Sequence, residues 1–585
     1  MRRLKFFGIF IVVLAIGQPL LPPFYVTLLN YIGLSAIVAL GLVLMTGIGG
    51  MTSFGQAAFV GIGAYATAYL TTVHGVSPWG TLIVGMGITT ALSLFLGFVT
   101  LRLSGHFLPL GTLAWGISLY FLFGSSEQLG GHSGIGGIPP VDLFGIELRG
   151  PREFFFVIWA VLLSAIVTTE NMLDSRDGRA IRSLRSKTMS EAMGINTTWY
   201  KTVVFMIAAQ FGCVAGWLFA HLQRFVNPTP FSLPMGIEYL FMAVIGGVTN
   251  VWGAVIGAAA VTILKQKLQD VLPALLGMAG NFEVVVFGML MILLMHRARL
   301  GIWHFVVKLK PKRSERRVVE PAEPLGRRSM PESGHTVLEV KNVTKRFGGL
   351  VANNAMDLDV RAGEVMALIG PNGAGKSTMF NCISGVNPAT SGEIRFLGER
   401  IDALDSRSIA RRGMSRTFQH VRLNHDMTVL ENVALGAHLR GHKNFLQSAW
   451  RFDRDEERRI LAEAAHQLER CGLGEHLFDQ AGSLPLGKQR VVEIARALCA
   501  DPVLLLLDEL AAGLRHMEKQ ALADLLGKLR AEGMAILLVE HDMDFLMGLA
   551  NRVVVMEFGE LLATGIPEEI QTNPKVLEAY LGGVE

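Results

Sequence analysis

Gly370-Pro371-Asn372-Gly373-Ala374-Gly375-Lys376-Ser377-Thr378, preceded by Val365-Met366-Ala367-Leu368-Ile369, decides how the C-terminal half of this chain is read. The short apolar run ending in a glycine turn predicts a buried strand. The loop fits G-x-x-x-x-G-K-[ST] in the strand-then-helix position that this pattern requires. Small residues let the backbone curl so that several N–H groups converge on one point. Together with the N-terminus of the following helix they form a cradle for a phosphate chain. Lys376 is placed to reach the β/γ-phosphates, and Ser377 to set its hydroxyl on Mg²⁺. A turn that merely ended a strand would not need Lys-Ser-Thr at that offset.

Outward from this loop, Val503-Leu504-Leu505-Leu506-Leu507-Asp508-Glu509 is a second buried strand, ending in two acids. Such a strand delivers Asp508 beside the phosphate loop, where it acts on Mg²⁺ through water. Glu509 is then positioned to orient or deprotonate the attacking water. Short apolar runs near 337–341, 356–360, 365–369, 394–397, 503–507, 535–539 and 552–556 alternate with helical stretches at about 376–384, 455–471, 487–500, 517–531 and 543–549. That alternation predicts an α/β nucleotide-binding domain over 337–585, with an inserted helical subdomain near 420–485.

The other half of the chain has a different chemistry. Of 585 residues, 51% are hydrophobic and only 17% charged, against about 25% charged in ordinary globular domains. The excess lies in residues 1 to about 300. Net charge is +4, too small to argue for a nucleic-acid partner, and the basic residues cluster in loops that suit a cytoplasmic membrane face. Cys213, Cys382, Cys471 and Cys499 show neither pairing nor metal spacing, as expected of incidental thiols in a reducing compartment.

A spanning helix needs ~20 mostly apolar residues. Candidates lie near 5–22, 28–48, 57–74, 80–101, 107–124, 154–170, 201–221, 236–250, 251–266 and 281–297, about ten spans in an all-α polytopic domain over 1–303. The first is read as an uncleaved span, since Gln18-Pro19-Leu20-Leu21-Pro22-Pro23 offers no small-residue cleavage site. An even count puts both ends on the cytoplasmic side. Arg2, Arg3 and Lys5, the basic loop Arg176 to Lys187, and Arg297 with Arg299 then all face inward. Residues 304–336, basic and then proline-rich without apolar periodicity, are expected to be a linker whose basic start lies against anionic lipid.

Two features of the membrane half go beyond hydropathy. Gly47 to Ala64 is dense in glycine, which suits close helix packing or a pathway lining equally; Gln56 and Glu238 are the polar residues expected along such a path. In the loop at about 172–199, Arg176, Arg179, Arg182 and Arg185 recur every three residues along a short helix, and Glu191-Ala192-Met193-Gly194 follows. We read this as a docking surface for the ATPase.

Residues 337–585 resemble the nucleotide-binding domain of ABC transporters throughout, with motifs in family order. The resemblance implies that Phe347 stacks on adenine, that Gln419 contacts metal and attacking water, and that His541 contacts the γ-phosphate. Gly370 to Thr378 would bind ATP, with Ser377, Gln419 and Asp508 around Mg²⁺. Leu484-Pro485-Leu486-Gly487-Lys488 stands at the signature position, where Pro485, Leu486 and Lys488 depart from Leu-Ser-Gly-Gly-Gln. Gly487 keeps a backbone donor toward a partner's ATP, and Lys488 is expected to add positive charge there. The site on this chain's own phosphate loop has its catalytic set complete; the site facing the altered signature does not.

Residues 28–300 resemble permeases of the hydrophobic (branched-chain) amino-acid uptake family, through Ser53 to Tyr65, Gly178 to Arg182, Glu191 to Asn196 and Gly253 to Gly257. That resemblance implies ATP-driven uptake of branched-chain amino acids across a bacterial inner membrane, the ATPase being cytoplasmic. Related importers carry urea, amides or aromatic acids. The implied partners are a second permease and a second ATPase subunit, heteromeric rather than a homodimer, and an external solute-binding protein. Arg176, Arg179, Arg182, Glu191 and Gly194 are then coupling residues. About ten spans are too many for an exporter half-transporter, or for a non-transport ATPase on a membrane anchor.

Overall fold

The structure is a computed structural model that describes residues 18–100, 107–143, 145–276, 282–297, 301–308 and 318–581. The chain divides into two compact units. One holds the residues up to Met172 and resumes at Thr198; the other joins Leu173–Thr197 to the C-terminal half.

The first unit is helical. Pro23–Leu42, Gln56–His74, Pro78–Thr100, Phe107–Ser125, Pro151–Leu173, Thr197–Gln223, Leu233–Gly247, Val251–Leu276 and Phe282–Arg297 coincide with the expected spans from residue 28 onward. The expected span at 5–22 and its basic flank, Arg299 and the basic run at 309–317 lie wholly or mostly outside the described residues. Among the described residues, six helices are long and apolar enough to cross a membrane. Gln56–His74 is not one of them, and the reason is its place: Gln56 to Tyr65 are all buried. A helix surrounded by protein needs small surfaces more than apolar bulk. A Cβ on Gly63 would stand 2.0 Å from the Cys213 carbonyl oxygen, and one on Gly216 1.9 Å from that of Val60. Helices Gln56–His74 and Thr197–Gln223 thus touch backbone to backbone, so glycine here serves close packing.

The two polar residues expected along a pathway differ. Gln56 is 1% exposed, and neither its amide nitrogen nor its oxygen has a hydrogen-bond partner. Glu238 is not a free acid: Lys265 Nζ lies 2.7 Å from its carboxylate. An ion pair at that spacing offsets part of the cost of an acid in an apolar bundle.

In the second unit, α1 (Arg176–Ser183) and α2 (Lys187–Ala192) belong to the inter-helix segment. The strands are β1 (Thr336–Phe347), β2 (Leu350–Arg361), β3 (Val365–Ile369), β4 (Ser391–Phe396), β5 (Glu399–Arg400), β6 (Met414–Arg416), β7 (Leu504–Asp508), β8 (Ala535–Val539), β9 (Arg552–Glu557) and β10 (Glu560–Gly565). The helices used below are α3 (Lys376–Ile383), α4 (Val429–Ala434), α5 (Phe445–Ala449), α6 (Arg454–Arg470), α7 (Leu486–Cys499) and α8 (His516–Ala531). A six-stranded sheet runs β6-β7-β8-β3-β9-β10, parallel except for β10. An antiparallel sheet runs β2-β1-β4-β5. Strands β3, β7 and β8 are buried at every position, which is why they read as unbroken apolar runs rather than alternating ones. β6, two residues longer than a bridge needs, has no such run and is invisible to periodicity.

The expected linker needs correction. From 318 onward the chain is an extended strap held along the cassette. Leu325, 6% exposed, enters the core of the helical subdomain. Arg459 and Arg440 donate to the carbonyls of Pro324 and Gly326, at 3.1 and 3.0 Å. The Arg328 guanidinium donates to the carbonyls of Asp501 and Arg411. Main-chain acceptors satisfied by distant arginines leave no periodic trace in a sequence.

Candidate functional site

Parallel order places the C-terminal ends of β3, β7 and β8 side by side, with Asp508 opposite Val539 and Val539 opposite Leu368. Loops leaving that edge form a crevice, here a cleft of ≈ 600 Å³ lined by Asn372 to Thr378, Gln419, Glu509 and His541. Of the two expected acids Glu509 therefore shares this space with the amide, the histidine and the phosphate loop, while Asp508 is buried next to it in the chain.

The loop's glycines are required by its geometry. Gly370 and Gly375 have φ of +152° and +96°. A Cβ would stand 2.2 Å from the Met556 carbonyl at the first, and 2.4 Å from that of Ala352 at the second. Asn353 Nδ2 donates to the Gly375 carbonyl at 3.1 Å and fixes that turn from β2. Lys376 Nζ donates to the carbonyls of Gly370 and Pro371, at 2.7 and 2.9 Å. Burial lowers its pKa, against the opposing pull of Glu509 and Asp508.

Glu509 sits on a strained backbone, with φ +49°; a non-glycine residue there costs of order 1–3 kcal/mol and marks an over-determined position. Its carboxylate is held from two sides: Gln419 Nε2 donates to Oε2 at 2.8 Å, and His541 Nε2 lies 3.1 Å from Oε1. Arg490 donates to its carbonyl. Asp508 is 3% exposed, and its Oδ1 has no hydrogen-bond partner. Burial raises its pKa against the pull of Arg416. A buried acid that keeps one oxygen unused, next in the chain to a cleft-lining Glu509, fits a hydrated divalent cation.

Phe347 does not line the cleft; its ring carries the Lys345 ammonium at 4.8 Å from the centroid. The aromatic side chain that does line the cleft is Phe558, 86% exposed with φ +47°, beside Leu350 and Val351.

At the signature position, Pro485 caps α7, which begins at Leu486. Gly487 stands against Glu518: a Cβ there would meet its carboxylate at 2.9 Å. Lys488 is turned inward. Its Nζ lies 2.8 Å from His476 Nε2, and His476 Nδ1 lies 2.7 Å from Asp479. The extra positive charge expected at the partner's site is thus committed within its own subdomain.

The arginine strip meets acids one for one. Arg176 reaches the Lys443 carbonyl and stands 3.7 Å from Glu456. Arg179, 3% exposed, grips Glu457 with both terminal nitrogens, Nη2–Oε2 being 2.9 Å. Arg182 pairs with Glu431 at 3.1 Å, Arg185 with Asp426 at 3.7 Å, and Asn424 donates to the Arg182 carbonyl at 2.9 Å. Glu431 also closes a capping box with Thr428 at the start of α4. Burial opposes its ionisation, yet Arg182 and the cap outweigh this and hold its pKa below the usual value. Gly194, at φ +80°, packs on Leu439, where a Cβ would overlap at 2.3 Å. Glu191 is the exception. It accepts from Thr197 Oγ1 at 2.8 Å and lies 3.9 Å from Lys187, so among the described residues its polar contacts brace its own segment.

Sequence reasoning missed Glu431, Glu456 and Glu457, although two adjacent acids opening α6 are a readable complement to an arginine strip. It also missed Arg416 and Thr417, which directly precede Phe418-Gln419. Tyr580 was missed as well; its hydroxyl bonds the Gly370 backbone, and burial raises its pKa to about 12.

Comparison with known proteins finds matches in both halves of the chain. Residues 24–295 match the profile of the branched-chain amino acid transport system permease component. Residues 353–512 match that of ABC transporters, and 560–585 that of branched-chain amino acid ATP-binding cassette transporters. The high-affinity branched-chain amino acid transport ATP-binding protein BraF of Pseudomonas aeruginosa is 45% identical over 249 residues, 42% of this chain and 98% of that protein. LivG of Escherichia coli, described in the same words, is 43% identical over the same shares. The probable LivG of Archaeoglobus fulgidus is 36% identical over 42% of this chain and 95% of its own length.

Proposed function

Because the chain belongs to the branched-chain amino acid ABC transporter family, with permease and ATP-hydrolysing cassette in one polypeptide, we propose that it takes up branched-chain amino acids across a bacterial inner membrane. The match of both halves to the same transport system carries this reading. ATP would lie on Gly370 to Thr378 and close against the signature of a second cassette, with a second permease subunit and an external solute-binding protein completing the importer. Importers of this family work with such further subunits.

Within the site, Glu509 orients or deprotonates water. Gln419 and His541 fix the direction of its carboxylate. His541 then contacts the γ-phosphate, and Lys376 neutralises phosphate charge. Ser377, Gln419 and Asp508 would hold Mg²⁺, Asp508 through water; the ion supplies charge neutralisation at the phosphates. Arg176, Arg179 and Arg182 transmit closure to the membrane half through their acids, with Gly194 permitting close docking at Leu439.

The test is ATP-dependent accumulation of labelled leucine in proteoliposomes carrying the assembled transporter and its binding protein. Leucine uptake abolished by Glu509→Gln is expected. Uptake of urea or an amide without leucine, or ATP-driven loss of leucine from preloaded vesicles, would overturn the reading.

A further inference from the structure

Arg416, 6% exposed, stands behind the cleft rather than in it. A buried guanidinium is costly unless its donors are used; here both terminal nitrogens are used, by two other elements, while Nε has no partner. Nη1 donates to Asn381 Oδ1 at 2.7 Å and to Ser384 Oγ at 2.8 Å, at the far end of the phosphate-loop helix α3. Nη2 reaches Asp508 Oδ2 at 3.4 Å, at the end of β7. Phe380 and Phe418 flank the group, with ring centroids 5.7 and 5.5 Å from its central carbon. Strand pairing sets the reach: Arg416 lies opposite Leu506, two residues before Asp508.

We propose that Arg416 is a positioning residue of the ATPase site, tying the metal-facing acid to the phosphate-loop helix so that divalent-cation affinity depends on it more than nucleotide affinity does. The inference rests on the proposed role of Asp508 toward Mg²⁺. Anchored through Oδ2, the carboxylate cannot rotate freely, and its unpartnered Oδ1 keeps one direction. Thr417 Oγ1 takes the Asp508 N–H at 3.3 Å, and Gln419 holds Glu509. One four-residue stretch, Arg416 to Gln419, therefore aligns both acids. Adjacent carboxylates repel, and a fixed cation beside one of them keeps the pair from splaying apart. A lysine cannot substitute, because a point charge on a flexible stem does not bridge three acceptors held in a fixed fork.

The experiment uses the full chain in nanodiscs, with Mn²⁺ as the probe. Mn²⁺ binding in the presence of ADP is followed by electron paramagnetic resonance, and binding of a fluorescent ADP analogue is measured separately in EDTA. Arg416→Met should weaken Mn²⁺ by about tenfold, the worth of one charge-assisted hydrogen bond to the acid, with metal-free nucleotide binding within about twofold. Arg416→Lys should fall between. Ser384→Ala, which removes one anchor and no charge, should weaken Mn²⁺ by about threefold, and it decides the matter if the methionine variant fails to fold. Wild-type Mn²⁺ affinity in whichever of these variants is folded overturns the proposal, as does equal loss of metal and metal-free nucleotide binding. If Asp508→Asn leaves Mn²⁺ affinity unchanged, it is the metal role of Asp508 that fails.

Discussion

Arg179→Ala should uncouple ATP hydrolysis from transport far more than Arg182→Ala, although both remove one arginine from the same strip. Arg179 is 3% exposed and bound through both terminal nitrogens, while the Arg182 and Glu431 side chains are 27% and 28% exposed. Removing one member of a buried pair leaves an uncompensated charge and costs about 3–5 kcal/mol; a partly exposed pair is worth about 1 kcal/mol or less. On that scale the docked state loses roughly 150-fold or more for Arg179→Ala, and about fivefold for Arg182→Ala. The assay is leucine transported per ATP hydrolysed in proteoliposomes. Disulfide yield between Asp177→Cys and Ser448→Cys reports docking directly, because the native side chains touch at 3.1 Å. A double-mutant cycle with Glu457→Leu separates the pair from its setting. Arg179→Met with Glu457→Leu should recover most of the docking, since no charge is then left buried. Equal effects at Arg179 and Arg182, or an additive cycle, would refute the reasoning.

Glu509→Gln should lower ATP turnover by about 10²–10⁴-fold, the range for a positioned general base, while retaining ATP binding by filter assay. Gly375→Ala should abolish nucleotide binding to the folded chain, because the Cβ would overlap the Ala352 carbonyl and φ +96° disfavours any side chain; calorimetric titration with ADP checks this. Glu540 carries a pH dependence. Burial raises its pKa to about 7 from 4.5, so the folded chain keeps a proton that the unfolded chain releases. Its contribution is full below pH 4.5 and is lost as pH rises toward 7, by roughly 3 kcal/mol at most. Glu540→Gln should flatten that part of the melting profile between pH 5 and 7.5; an unchanged slope refutes it.

Local pattern alone was enough for the phosphate loop, the acid pair at the end of β7, the apolar helices from residue 28 onward and the arginine strip. Each is written in contiguous residues whose period or spacing has one physical reading. A fully buried parallel strand must be apolar throughout, and a loop wrapping phosphate must be small and end in Lys-Ser. Tertiary structure decided what pairs with what. It placed Glu457 rather than any neighbour on Arg179, gave Lys265 to Glu238, turned Lys488 onto His476 and set Phe558 at the cleft. It made a strap of an expected linker and put Arg416 behind Asp508 across two strands and a helix. These are partnerships between residues far apart in the chain, fixed by sheet order and by the need of buried charges for a counter-charge, and neither has a period that a sequence can display.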